Sequence, residues 1–309
     1  MSVMRKALLA GSQNVWLREK AMRWGFVRRS VSTFMPGERV EDALEAAQGL
    51  KGKNITTILT RLGESLAGAE DSKAVADHYV RVMDLVAERG LDAQISVKPT
   101  QLAYDQDTEM CFGHLTRLLD HATLRNNMIW IDMESSEYVD GTLELFRRGR
   151  AYSDRIGIAL QAYLYRTEKD IEALLPLGCN IRLVKGAYLE PPAVAYPAKK
   201  DVDENFFRLA ARMLQPDALA SGTLLHIATH DMALVGRLRN VIAERRVPKD
   251  RYEFAMLFGI QRNAQQQLVA DGESLRVLIS YGEYWFPWYM RRLAERPANI
   301  WFVVKNLFR

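Results

Sequence analysis

Eight short runs rich in Ile, Val and Leu alternate along the chain with stretches whose apolar residues recur at helical spacing. The runs are NITTILTRLGE (54–64), AQISVKPTQL (93–102), NMIWIDMES (127–135), RIGIALQAYL (155–164), NIRLVKGAY (180–188), TLLHIATHD (223–231), RYEFAMLFG (251–259) and LRVLISYGE (275–283). Most are nearly continuous in apolar character, which predicts parallel strands buried on both faces. Between them, DSKAVADHYVRVMDLVAERG carries an apolar stripe and stops at Gly90, a residue type suited to the position just past a helix end. TEMCFGHLTRLLDHAT, GTLELFRRGRAYSD, TEKDIEALLPLG, ENFFRLAARMLQ and MALVGRLRNVIAERR repeat the helical pattern. Strand then helix, in one uninterrupted series, predicts an α/β fold closed into a (β/α)8 TIM barrel over residues 51–309, preceded by a helical arm over residues 1–50. No G-x-G-x-x-G follows the first strand, so a Rossmann dinucleotide site is unsupported. The Pro-rich EPPAVAYPAKK (190–200), after the fifth strand, reads as an active-site loop.

Composition narrows the picture. The 309 residues suit one barrel, which typically takes roughly 250 residues plus additions. A 48% hydrophobic and 26% charged chain is that of a soluble globular protein with a large core. The net charge of +4 is mildly basic, and its basic residues are interspersed with acidic ones, which argues against nucleic acid and leaves room for an anionic substrate or cofactor. Cys111 and Cys179 form neither a metal-ligand spacing nor a disulfide framework, as expected of a reducing compartment. No apolar run reaches about 18 residues and no signal-peptide pattern opens the chain, so a cytoplasmic location is expected. The basic arm MSVMRKALL…RWGFVRR is a candidate peripheral membrane contact.

In a barrel of this kind chemistry sits at the C-terminal ends of the strands. Those ends carry Glu64, Lys98, Asp132, Gln161, Lys185 with Tyr188, Thr229-His230-Asp231 and Leu257. Singly, each has a plain reading: Lys98 as a rim lysine, Asp231 as a helix cap, Leu257 as core. Asp132, inside the apolar run MIWIDM, needs a partner wherever it is buried; a structural ion pair and a functional contact both satisfy that. Together they make a polar mouth over an apolar barrel. Arg291 and Arg292, in YGEYWFPWYMRRLAERP, point about 100° apart on a helix. Either could pair with Glu295, or the two could grip a carboxylate with both guanidinium forks.

With RLVKGAY, ATHD, ISVK, IDMES and the closing RR-x-x-E in this order, the chain resembles the monofunctional bacterial proline dehydrogenases from about residue 30 to 305. The resemblance implies a distorted (β/α)8 barrel that holds FAD noncovalently. It further implies oxidation of L-proline to Δ1-pyrroline-5-carboxylate, with electrons passed to a membrane quinone. Carried over by motif, Arg291 and Arg292 bind the proline carboxylate and Lys98 completes a positive cradle, while Tyr188 and Leu257 pack on the pyrrolidine ring. Asp132 lies on the Lys98 side of the site, and Glu64 pairs with Arg292 when the site closes. Gln161, Arg182, Val184, Lys185, Gly186, Ala187, Thr229, His230 and Glu295 match flavin-contacting positions. One departure concerns substrate: Leu278 stands where family members commonly carry a ring-contacting tyrosine. A dehydrogenase of 4-hydroxyproline or another cyclic imino acid is therefore the rival reading. From other classes, Lys98 or Lys185 could serve as the Schiff-base lysine of a barrel aldolase, or the barrel could be a catalytically inert binding module.

Overall fold

The computed structural model of the protein describes residues 31–63, 69–286, 289 and 290. Its centre is a closed barrel of eight parallel strands in sequence order: β1 (Thr56–Arg61), β2 (Ala93–Val97), β3 (Ile129–Ile131), β4 (Ile156–Gln161), β5 (Asn180–Val184), β6 (Leu224–Ala228), β7 (Tyr252–Leu257) and β8 (Leu275–Tyr281). Closure is made by β1 on β8, in parallel register from Thr56 opposite Arg276 to Arg61 opposite Tyr281. All eight predicted runs contain a strand, and the barrel is the predicted one.

The helices are α1 (Val40–Lys51), which packs on β1 and β8, then α2 (Ala69–Glu88), α3 (Thr108–Leu124), α4 (Val139–Tyr152), α5 (Thr167–Leu174), α6 (Lys199–Met213), the short α7 (Pro216–Ala220), α8 (Met232–Arg245) and α9 (Arg262–Ala270). Local chemistry fixes their starts. Asp107 accepts the Glu109 and Met110 N–H groups at 2.8 and 3.2 Å, and Asp231 accepts that of Ala233 at 3.2 Å, so each caps orphan donors of α3 and α8.

The strands are more sharply two-faced than their apolar runs suggest. Outward positions such as Leu59, Ile95, Ile129, Ile181, Ile227 and Val277 are aliphatic and essentially inaccessible beneath the helices. Inward positions two residues apart include Ser96, Trp130, Asp132, Arg182, His226, Glu253 and Arg276, where aliphatic layers would fill an ordinary barrel. Contacts between strands that are not neighbours prove the direction: Trp130 of β3 meets His226 of β6, and Arg182 of β5 meets Ser96 of β2. Near the barrel floor Arg276 and Glu253 are paired with each other and with their neighbours. Arg276 Nε and Nη1 donate to Glu253 (2.7 Å) and Asp92 (2.9 Å), and the Thr56 hydroxyl donates to Glu253 at 3.1 Å. Such pairing is the condition on which buried charge is tolerated.

Candidate active site

Within strands that are otherwise buried, accessibility reappears at inward positions near the C-terminal ends. Val184, Ala228, Leu257 and Leu278 are half-buried, as is Asp132 just beyond β3. These positions share the inner face by the two-residue period of a strand, so together they line the floor of a mouth. The strand-end location follows from the fold; the polarity comes from the sequence.

Asp132 is the hub. Its Oδ1 accepts from the Ser96 hydroxyl at 2.8 Å and from Arg182 Nη2, and its Oδ2 lies 3.6 Å from Lys98 Nζ. Arg182 Nη2 also donates to Ser96 at 2.9 Å. Arg182 is only 3% exposed, yet its Nη1 has no partner. Burial pushes the Arg182 guanidinium down from its ordinary value, and the Asp132 charge opposes that shift. Two cations on one carboxylate leave this side of the mouth net positive. The partner that Asp132 was expected to need is Arg182, a residue that the resemblance places at the cofactor.

Glu134, two residues on, locks the adjacent loops. It accepts from Thr100 N and Oγ1 at 3.1 and 2.8 Å, and its carbonyl accepts from Gln161 Nε2 at 2.7 Å. Gln101 caps the short 3-10 turn that starts at Pro99: it accepts the Lys98 N–H at 3.3 Å and donates to the Arg61 and Gly63 carbonyls at 2.9 and 2.6 Å. Lys98 is thereby fixed to the end of β1.

On the opposite rim, His230 Nε2 accepts the Leu257 N–H at 2.9 Å. β6 ends before it can supply a backbone acceptor there, so the imidazole satisfies the orphan donor and carries its own proton on Nδ1. Thr229 Oγ1 accepts from Asp231 N at 3.1 Å. Gly186 has φ +116°, and a Cβ there would collide with the Tyr163 ring, so this turn of the KGAY segment requires glycine. Ala187 and Tyr188 follow it, half-buried. The Pro-rich loop folds back along the β4 end: Tyr196 N donates to the Tyr163 carbonyl at 2.8 Å, and Glu190 accepts from Ser136 N at 2.7 Å. Lys185 is the site residue least suited to an anion as it stands. Its Nζ is held by Asp203 (2.5 Å) and Asp231 (3.1 Å).

The structure therefore brings together Lys98, Asp132, Gln161, Arg182, Val184, Thr229, His230, Leu257 and Leu278 on or beside the barrel mouth. Glu64, Arg291, Arg292 and Glu295 lie outside the described residues. Ser96, Trp130 and Glu134 were not singled out by the sequence; their signal is the period of two, since Ser96 and Trp130 precede Lys98 and Asp132 by one step on the same face and Glu134 follows Asp132 by the same step. Among the described residues no group of His, Cys, Asp and Glu side chains could hold a metal, and no helix is long and apolar enough to cross a membrane.

Comparison with known proteins shows the family and the fold. The proline dehydrogenase family model matches residues 43–305. The chain is 34% identical to Proline dehydrogenase 1 of Bacillus subtilis subsp. natto over 307 residues, covering 99% of this chain and 100% of that one. It is likewise 34% identical to the proline dehydrogenase of Deinococcus radiodurans over 312 residues, covering 99% and 98%. Among solved structures, proline utilization A from Bdellovibrio bacteriovorus, inactivated by N-propargylglycine, superposes with a TM-score of 0.80 at 20% identity. That match covers 94% of this chain and 36% of that one, and it supports the barrel fold.

Proposed function

The chain belongs to the proline dehydrogenase family of oxidoreductases, and we propose that it oxidises L-proline to Δ1-pyrroline-5-carboxylate on a bound FAD. The observation that carries the cofactor assignment is Arg182 Nη1, a buried guanidinium nitrogen without a partner at the level where the inward wall opens. An unpaired guanidinium donor calls for a group with acceptor atoms, and Gln161, His230, Thr229 and the glycine-held turn at Gly186 surround the same mouth. Val184, Ala187 and Glu295 complete the proposed FAD contacts. Bound FAD supplies the hydride acceptor, and a membrane quinone takes the electrons onward.

The chain's own residues bind and orient. Lys98, on the positive side of the mouth, faces the substrate carboxylate together with Arg291 and Arg292, and Glu64 pairs with Arg292 on closure. Leu257 and Tyr188 hold the pyrrolidine ring, so that its reacting carbon is kept in near-attack position. Asp132 offsets part of the Lys98 and Arg182 charge. The barrel is proposed to work in the cytoplasm, with the basic N-terminal arm as its contact to the quinone-bearing membrane.

Leu278 favours one second reading. It is half-buried on the inner face, with its Cα opposite Leu257, so an aliphatic side chain stands beside the proposed ring pocket where a tyrosine is expected. A cyclic imino acid bearing a ring substituent, such as trans-4-hydroxy-L-proline, is then the rival substrate. Comparing kcat/KM for the two substrates with a soluble quinone acceptor tests the proposal. Higher kcat/KM for L-proline supports it; turnover of hydroxyproline alone selects the rival.

A further inference from the structure

The proposed flavin site rests on a column of contacting groups that reaches down to the barrel floor. Trp130 is inaccessible to solvent and fills the barrel where an aliphatic layer would ordinarily lie. Its Nε1 donates to Gln94 Oε1 at 2.6 Å, which fixes the rotation of the indole. One side of the ring meets His226, with centroids 4.3 Å apart, and the Arg182 guanidinium carbon lies 5.2 Å from its centroid, within range of a cation–π contact. His226 is in turn held by Glu253, 3.2 Å from its Nε2, and Glu253 by Arg276. Burial pushes His226 well below its ordinary value, which favours the neutral ring beside Glu253. Room for the indole comes from β4. A Cβ on Gly157 would stand 2.6 Å from Cε3 and Cζ3 of Trp130, closer than such carbons approach.

Above this column, Arg182 is tied by Nη2 alone, to Asp132 and Ser96. One anchored nitrogen fixes a position but leaves the plane of the guanidinium to its surroundings. The surface beneath it is the indole.

We infer that Trp130 is a positioning residue for the proline dehydrogenase reaction: its indole, in space left by Gly157, sets the Arg182 guanidinium at the flavin. This inference rests on the proposed FAD site. A correctly placed positive charge favours the reduced, more negative form of a flavin, so displacing it makes the flavin a weaker oxidant. The residues of the column touch neither substrate nor cofactor and act only through Arg182.

Four variants test it: Gly157→Ala, which drives a methyl into the indole; Trp130→Phe, which shortens the ring; the two combined; and Trp130→Leu, which removes the aromatic surface. Each is purified with FAD, and its flavin content, flavin midpoint potential and rate of flavin reduction by L-proline are measured. Gly157→Ala and Trp130→Leu are expected to keep FAD, to shift the midpoint potential to more negative values and to slow flavin reduction about tenfold, the effect of misplacing one charge-assisted contact. In the double variant the smaller ring makes room for the methyl, so both readouts return to those of Trp130→Phe. A merely structural role would lower thermal stability and leave the potential unmoved. That outcome, or a double variant no better than Gly157→Ala, overturns the inference. Wild-type protein that takes up no flavin overturns the FAD reading itself, and the inference with it.

Discussion

Replacing Asp132 with asparagine removes the carboxylate that faces both Lys98 and Arg182. The side chains of Arg182 and Lys98 are 4% and 11% exposed, so neither charge can be recovered by water without rearrangement. An exposed ion pair contributes at most about 1 kcal/mol, whereas removing one partner of a buried pair costs about 3–5 kcal/mol. Asparagine retains an acceptor for Ser96 and Arg182, which recovers about 1 kcal/mol. The expected loss is therefore about 2–4 kcal/mol, or a fall in Tm of roughly 3–6 °C in a domain of this size. Equilibrium urea unfolding measures it, with FAD at one fixed excess throughout, because a ligand of the folded state adds its own stability. Lys98→Met in the Asp132→Asn background removes one of the two stranded cations. The double variant should thus lose less than the sum of the singles, by about 0.5–1 kcal/mol. Asp132→Asn within about 0.5 kcal/mol of wild type, or strictly additive losses, would refute the hub role.

Arg291→Met and Arg292→Met are each expected to raise KM for L-proline about 30- to 1000-fold while FAD stays bound, as a desolvated arginine–carboxylate contact requires; unchanged proline kinetics would remove both from the carboxylate site. Burial, with Arg61 and Arg81 nearby, holds His78 down from 6.5 to about 4. The unfolded chain therefore binds more protons across that window, so stability rises with pH there and is lost as pH falls from 6.5 towards 4. His78→Gln, which keeps a partner for the Tyr281 hydroxyl 2.8 Å away, should flatten this part of the urea-unfolding pH profile, and an identical profile would count against the assignment. Gly186→Ala should destabilise the KGAY turn by about 1–3 kcal/mol through backbone strain and the Tyr163 clash and should reduce flavin content; full flavin occupancy at wild-type stability would contradict the turn's role.

The barrel was legible because eight aliphatic outer faces repeat in order, and their apolar runs survive any choice of chemistry inside. What the runs concealed was the inner face. AQISV and NMIWI look uniformly suited to a buried strand, yet Ser96 and Trp130 point into the barrel and Ile95 and Ile129 point out of it. The predicted strands also ran past the observed ends. β2 stops at Val97 because Pro99 opens a 3-10 turn, and β5 stops at Val184 because Gly186 needs a positive φ. Those overrun residues are the ones that build the mouth, where backbone departs from the ladder to present side chains. Lys98, Asp132 and His230 were visible as polar residues at strand ends. That Asp132 would hold Arg182, or that Lys185 would face Asp203 and Asp231, depends on contacts between distant segments and has no local signature.

The most direct test of the account is an anaerobic titration of the purified, flavin-loaded protein with L-proline, followed by absorbance. The account predicts a yellow protein whose oxidised-flavin bands bleach as L-proline is added, with Δ1-pyrroline-5-carboxylate formed in proportion to the flavin reduced. A protein that remains colourless after incubation with FAD, or one whose flavin stays oxidised at saturating L-proline, would contradict it.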